Sequence, residues 1–229
     1  MLKLSIIIPV YNEEKTILEI LKRIEAVELP NLEKKIIIVD DGSIDGTKEI
    51  LKSFEGKYKT FYQANNQGKG AALRMGFKQA SGDFLIIQDA DLEYNPREYP
   101  QLLEPLIQNR ADIVYGSRNL KDNPRFKKSY YWGGRIISWL INIIYGSNLT
   151  DVYTCYKVFK TPLLKNLDLV SNGFEFEAEV TAKALKKKYR ILEVPISYSP
   201  RNVEEGKKIN WLDGIKAILA IIKYRHDKK

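Results

Sequence analysis

Two patterns alternate along the first half of this chain. Some segments are almost continuously apolar, as expected for strands covered on both faces. Others carry apolar residues every three or four positions, as amphipathic helices do. Leu2 to Val10, Lys35 to Val39, Tyr58 to Gln63, Phe84 to Glu93 and Ala111 to Tyr115 read as strands. Between them, Ile17, Leu18, Ile20, Leu21 and Ile24 mark one helix and Ala71 to Ala80 another. Asn12 is the expected N-cap of the first helix, with Glu13 and Glu14 in its opening turn, and Asp45 the expected cap of the next. Asn95-Pro96-Arg97-Glu98 opens a further helix with a cap, a proline at N1 and a glutamate at N3. Unbroken strand–helix alternation to residue 118 predicts a Rossmann-like α/β sandwich around a mostly parallel sheet.

Beyond residue 118 the pattern loosens. Asn119 to Ser129 is polar and basic, and Tyr130 to Tyr145 is helix-compatible, with Trp132, Ile136, Trp139 and Ile143 among its apolar positions. Cys155 to Phe159 and Arg190 to Tyr198 read as strands. Phe174 to Lys188 reads as a helix that opens acidic and closes basic, which suits its dipole. Asn210 to Tyr224 is a closing amphipathic helix. No repeat, linker or low-complexity tract interrupts the chain, so one domain over 1–229 is expected.

The polar residues carry the chemistry. Two of the apolar runs end in acids: Asp40 and Asp41 after the second, and Asp89, Asp91 and Glu93 closing the fourth. Open α/β sheets bind ligands where their strands end. Carboxylates there suit a hard cation such as Mg²⁺ or Mn²⁺. An isolated Asp-x-Asp is also what a solvated acidic turn looks like, so context decides. Asn65-Asn66-Gln67-Gly68-Lys69-Gly70 is a polar loop whose lysine can reach a phosphate, although it is neither a Walker A loop nor a G-x-G-x-x-G fingerprint.

Composition narrows the classes. The single cysteine, Cys155, excludes an intrachain disulfide, and with the lone His226 it cannot build a Cys/His zinc cluster. The net charge of +8 favours anionic company: phosphates, nucleic acid or anionic lipid. It is uneven, with six basic residues and one acid from Ser117 to Arg135, and eight basic against four acidic from Arg201 to Lys229. Leu4 to Val10 is too short for a signal sequence, and no run approaches the ~20 apolar residues of a spanning helix. A cytoplasmic protein, or one peripheral on the cytoplasmic face of a membrane, is expected.

Pro9-Val10-Tyr11-Asn12-Glu13-Glu14, Asp40-Asp41-Gly42-Ser43-x-Asp45-Gly46-Thr47, Asn66-x-Gly68-Lys69-Gly70 and Asp89-Ala90-Asp91 occur in that order. The ordered set resembles the inverting family-2 glycosyltransferases of GT-A fold. Asp151 to Lys157, Phe174-Glu175-Phe176-Glu177, Glu193 to Tyr198, Arg201 and Glu205-Gly206-Lys207-Lys208-Ile209 resemble the polyprenol-phosphate sugar synthases. The nearest group is the dolichol-phosphate mannosyltransferases with their glucosyltransferase relatives.

The resemblance implies a nucleotide-sugar-binding half, 1–118, and an acceptor-binding half, 119–229, with interfacial helices. Pro9, Tyr11, Glu13, Val39 and Asp41 would line the base and ribose pocket. Asp89 and Ala90 would contact the nucleotide side of the donor, and Asp91 and Glu93 would hold Mg²⁺ or Mn²⁺ against the diphosphate. Lys69, Arg118, Arg201 and Lys207 would meet phosphate oxygens, with Asp91, Arg118 and Arg201 the catalytic set. The implied reaction is inverting transfer of a hexose, mannose from GDP-mannose preferred, to a dolichyl or other polyprenyl phosphate.

The implied chemistry is consistent with the residues. A leaving diphosphate needs neutralising, which a metal and Arg or Lys do electrostatically. A lipid phosphate is already anionic, so no strong general base is needed, in keeping with the absence of a useful histidine. UDP-glucose as donor, or a soluble glycan as acceptor, is the alternative within the class. A nucleic-acid-binding protein would explain the basic charge but not acids gathered at strand ends. A catalytically dead scaffold would have no use for Asp89, Asp91, Arg118, Arg201 and Lys207. Tyr130 to Tyr145, beside basic Arg125-Phe126-Lys127-Lys128, is the expected contact with an anionic membrane surface. The C-terminal helix is expected on the core as readily as on the membrane.

Overall fold

The computed structural model describes residues 1–124, 128–201 and 211–227, with the backbone alone at 128–130. Four strands open the chain: β1 (Leu2–Val10), β2 (Leu32–Asp40), β3 (Lys59–Tyr62) and β4 (Phe84–Ile87). They are joined by β5 (Ile113–Ser117), β6 (Lys157–Lys160) and β7 (Ile191–Pro195) in one seven-stranded sheet, ordered β3-β2-β1-β4-β6-β5-β7. Every neighbouring pair is parallel except those of β6, which runs antiparallel to both β4 and β5.

β1 lies near the centre, and Ile6, Ile7 and Ile8 are fully buried, which explains its lack of polar alternation. The register sets Ile7 beside both Ile37 and Ile87, so β1, β2 and β4 finish along one edge. Tyr11 and Asp41 follow directly from the ends of β1 and β2, and Asp89 lies two residues past the end of β4. The reversed β6 matters for the same edge. Its lead-in, residues 151–156, reaches β6 from the side where β4 and β5 end, and the Gly116 amide donates to the Tyr156 carbonyl at 2.8 Å.

The helices are α1 (Ile17–Glu25), α2 (Thr47–Lys52), α3 (Lys69–Gln79), α4 (Tyr99–Ile107), α5 (Lys128–Tyr145), α6 (Thr161–Lys165), α7 (Phe176–Lys186) and α8 (Trp211–His226). α3 packs on β1 and β2, α4 on β5, β6 and β7, and α5, α7 and α8 on one another.

Three expectations are revised. Asn12 does not cap α1: it sits at φ 51°, its side chain accepts from the Ile44 amide at 2.9 Å, and the helix begins at Ile17. The fourth strand stops at Ile87, before the acids, which lie in a turn with Leu92 at φ 62°. α6 was not anticipated, because its five residues are too few to show a period. Asn95 takes the Arg97 amide at 3.1 Å, as capping predicts, while Asp45 takes the Thr47 amide at 3.0 Å from the position before Gly46, the N-cap of α2.

The start of α3 is clamped by the loop before α7. The Ala71 amide donates to the Asn172 carbonyl, and a Cβ at Gly70 would stand 2.5 Å from the Ser171 oxygen. The glycine there answers to neighbouring backbone. Gly70→Ala is expected to cost about 1–3 kcal/mol by overpacking, measured by urea unfolding. Gly134→Ala, where a Cβ would meet nothing within 4 Å, is expected to be neutral or mildly stabilising.

Asp112 ties the starts of β5 and β7 to the end of β6, accepting from the Arg190 amide at 3.0 Å and from its guanidinium at 3.1 Å, with Lys160 at 3.5 Å. Hydrogen bonding from Arg190, against the effect of burial, lowers its carboxyl from 3.8 to about 2. A depressed folded-state pKa stabilises above the unfolded value and loses that contribution as pH falls through the folded one. Asp112→Asn should therefore lower Tm at pH 7, with the difference from wild type shrinking between pH 3.8 and about 2.

Candidate active site

Beyond the carboxyl ends of β1, β2 and β4 lies a cavity of about 920 Å³. Its wall includes Pro9, Tyr11, Glu13, Asp41, Lys69, Asp89, Ala90, Asp91, Glu93, Arg118 and Arg201, residues expected at the site from sequence. Val39 is not on this wall; it is fully buried within β2. Lys207, with Arg125, Phe126 and Lys127, lies outside the described residues. α5 and α8 close the cavity with Gly133, Gly134, Ile137, Trp211, Asp213 and Gly214.

The first two strand ends use their acids for construction. The Asp40 carboxylate takes the Ser43 amide and hydroxyl, and Asp41 takes the Gln67 and Gly68 amides at 2.9 and 2.8 Å plus the Gln63 amide group. Asp41 thus anchors the loop entering α3. Burial raises its carboxyl, against the two amides. Glu13 meets the Arg201 guanidinium through both oxygens at 3.0 Å and accepts from Thr16 at 2.7 Å.

The third strand end is the densest. Gln88 beneath it is locked by the Tyr99 and Tyr156 hydroxyls at 2.8 and 2.7 Å and donates to the Asp89 carbonyl. Asp89 pairs with Lys69 at 2.8 Å. Asp91 lies 3.4 Å from Arg201 and accepts from the Glu93 amide. Burial first, then the neighbouring Asp89 and Glu93 charges, push Asp91 up to about 7 against the pull of Arg201. Glu93 accepts from the Tyr198 hydroxyl at 2.7 Å and the Arg201 amide at 2.8 Å, fastening the segment after β7 over the site.

Arg118 is held by a relay. Both Asp151 oxygens accept from its guanidinium, at 2.7 and 2.8 Å. Glu193 on β7 in turn accepts from the Thr150 and Asp151 amides at 2.7 and 2.8 Å. The guanidinium also lies 5.0 Å over the Tyr198 ring. Burial alone would lower Arg118; Asp151 outweighs it and keeps the charge.

A second relay lies deeper. Lys157, fully buried on β6, pairs with Glu177 of α7 and donates to the Val152 and Thr154 carbonyls. Glu177 is 3.5 Å from Lys69, which holds Asp89. Burial pushes the Lys157 ammonium down, against Glu177. These supporting residues, Tyr153, Glu177, Lys157, Asp151, Glu193 and Tyr198, fall in the stretches that carry the family resemblance, with no role of their own legible there. Their roles depend on contacts that local sequence does not encode.

The charge of the wall favours a bound cation. Its described residues include seven carboxylates, at 13, 41, 89, 91, 93, 177 and 213, against the three cations Lys69, Arg118 and Arg201. A diphosphate entering such a wall needs added positive charge. Among the described residues no three acidic, cysteine or histidine side chains converge as a ready-made metal cage. Mg²⁺ characteristically takes one or two carboxylates and completes its shell with water and substrate phosphate. Asp91 and Glu93 fit that donor set, since each carboxylate has lone pairs beyond those used here.

Residues 5–168 match the family model Glycosyl transferase family 2. A dolichol-phosphate mannosyltransferase of Pyrococcus furiosus is 32% identical over 212 residues, 90% of this chain and 59% of that protein's length. An undecaprenyl-phosphate mannosyltransferase of Micrococcus luteus is 31% identical, across 88% of this chain and 85% of its own. Among solved structures, glucosyl-3-phosphoglycerate synthase from Mycobacterium tuberculosis, in complex with Mn²⁺, UDP and phosphoglyceric acid, superposes with a TM-score of 0.75. That match covers the whole chain and 80% of the other at 17% identity, a likeness of fold, and the expected GT-A sandwich is the observed one. The chain belongs to glycosyl transferase family 2.

Proposed function

We propose that this chain transfers a hexose from a nucleoside diphosphate to the phosphate of a polyprenyl lipid with inversion, and that GDP-mannose is the preferred donor. The observation that carries the reading is the charge of the cavity. Carboxylates predominate at the strand ends, where a cation is needed, and two arginines stand over them, where phosphate is expected. The mannosyltransferase relatives support the lipid phosphate and the sugar. The UDP-binding structural neighbour makes UDP-glucose the competing donor.

Each residue then has a task. Asp91 and Glu93 would hold Mg²⁺ or Mn²⁺; when bound, the cation supplies charge for the leaving diphosphate. Arg118, rigid on Asp151, presents a fixed guanidinium to phosphate oxygens. Arg201, shared between Glu13 and Asp91, is placed to release one contact for an incoming anion. An anionic lipid phosphate needs no proton removed before attacking the sugar carbon in line. Tyr11 and Asp41 mark the end where the nucleoside would rest.

The acceptor side is the membrane side. On α5, Trp132, Ile136, Trp139 and Ile143 form a stripe at helical spacing, all more than half exposed. On α8, Trp211, Ile215, Leu219 and Ile222 form a second, while Ala217, Ala220, Ile221 and Tyr224 face the protein. The last helix thus has one face packed on the protein and one exposed. The Tyr145 hydroxyl joins the two helices through the Ile221 carbonyl at 2.8 Å, and both helices wall the cavity. Exposed apolar stripes of this extent mark an interaction surface, and basic Lys216, Lys223 and Arg225 suit anionic headgroups. Among the described residues no helix is long and apolar enough to cross a membrane.

Thermal unfolding with GDP, UDP, GDP-mannose and UDP-glucose, each with and without Mn²⁺, tests the donor. A metal-dependent rise in Tm with the guanosine ligands is expected. A uridine preference would shift the reading to glucose, and no shift with any ligand would remove it. Asp91→Asn should abolish the metal dependence of the shift and lower transfer at least about a hundredfold. Co-sedimentation with anionic liposomes tests docking. The wild type should pellet, and Trp139→Glu with Leu219→Glu should stay in solution with an unchanged GDP shift.

A further inference from the structure

Among the described residues, three buried polar atoms of cavity-lining side chains have no hydrogen-bond partner: Arg201 Nε, Glu177 Oε1 and Tyr153 Oη. Arg201 faces the carboxylates at the strand ends and belongs with the phosphates. Glu177 and Tyr153 come from the other side, one from α7 and one from the lead-in to β6. Glu177 is 3% exposed. Its Oε2 is taken by Lys157, while Oε1 has only the 3.5 Å approach of Lys69. Burial raises the Tyr153 phenol, and Glu177, Glu175 and Asp213 raise it further, so it stays an O–H donor. Leaving such groups unpaired costs stability, and a ligand that pairs them recovers it.

We infer that Tyr153 and Glu177 form the subsite that recognises the hydroxyls of the transferred hexose. This rests on the transferase reading above and names the residues that would select the sugar. The chemistry selects the ligand class. A phosphate is disfavoured, because the lone pairs left on Glu177 Oε1 accept hydrogen bonds and an ionised phosphate oxygen has none to give. An alkyl chain would leave both polar atoms unpaired. A neutral ring carrying hydroxyls supplies a donor to Glu177 Oε1 and an acceptor to Tyr153 Oη. The placement agrees. Lys69 spans from Asp89, at the phosphate end, to Glu177, so the subsite is one side chain from where a diphosphate would be held. A sugar carried on that diphosphate lies next along the cavity. The deeper pairing with Lys157 fixes the Glu177 carboxylate before the sugar arrives.

The test is calorimetric binding, with Mn²⁺, of GDP and GDP-mannose to the wild type and to Tyr153→Phe, repeated with UDP and UDP-glucose. The substitution removes one oxygen and leaves the ring. We expect nucleoside diphosphate affinity to be unchanged and nucleotide-sugar affinity to fall about five- to tenfold. Monodeoxy donors give an arm that depends on no variant's folding. The wild type should lose a similar factor with one of them, and Tyr153→Phe should not distinguish that analogue from the full sugar. Equal affinity of variant and wild type for the nucleotide sugar overturns the inference, as does an equal loss for diphosphate and nucleotide sugar. A wild type that binds neither pair overturns the transferase reading itself, and this inference with it.

Discussion

An ionised carboxylate taken out of water must find a partner, and this molecule buries many of them in one place. Glu13, Asp41, Asp151, Glu177 and Glu179 are each less than a tenth exposed. The fold answers them one at a time: amides for Asp41, Arg118 for Asp151, Lys157 for Glu177, Lys183 for Glu179 and Arg201 for Glu13. Several of these pairs are far apart in the chain, the Glu13–Arg201 contact spanning 188 positions. Matching the acids therefore also dictates how the second half folds over the first. Asp91 is the acid least well matched, with Arg201 no nearer than 3.4 Å and like charges on either side. The deficit lies where the strands end, which is where an α/β sheet places its ligand. A carboxylate with room for a cation is what remains after these buried acids have been satisfied from inside.

What could be read from the chain was local. Ile6, Ile7 and Ile8 of β1 are apolar in a row because sheet neighbours and helices enclose them, so their pattern and their burial are one fact seen twice. Asn95 caps as its position suggests, because a cap involves residues two or three apart. Asn12 shows the limit. By type and place it is a cap, yet its carbonyl oxygen is taken by Ile44, 32 residues away, and the chain turns there in the left-handed region. Val39 shows another: next to the acids in sequence, it is buried on the sheet face that α3 covers, within 3.5 Å of where a Cβ on Gly76 would stand.

The supporting residues of the site were out of reach for a stronger reason. Arg118 was legible as a lone arginine after a strand. Its rigidity comes from Asp151 and, behind that, Glu193, and the relay exists only because β7 lies beside β5. Lys69 looked like a phosphate ligand on a glycine loop. In the fold it is committed to Asp89 and Glu177, and Gly70 answers to the Ser171 carbonyl. Glycine and lysine together suggest a phosphate cradle on composition alone, and a close backbone approach requires the same glycine.

The strand that breaks the parallel pattern is the one that completes the site. A parallel β6 would deliver its lead-in to the opposite edge of the sheet, with its amino end away from the acids. Running antiparallel between β4 and β5, it brings residues 151–156 to the edge where Asp89, Asp91 and Glu93 lie. That lead-in supplies Asp151 to Arg118, Tyr153 to the cavity and Tyr156 to Gln88 beneath Asp89. The strand itself carries Lys157, which fixes Glu177. α5 lies between β5 and β6 in the chain, so the same excursion that reverses the strand also carries an exposed apolar helix to the cavity wall. One departure from simple alternation therefore does three things: it fixes Arg118 on Asp151, it brings Tyr153 to the cavity beside Glu177, and it sets a helix with an exposed apolar stripe next to both.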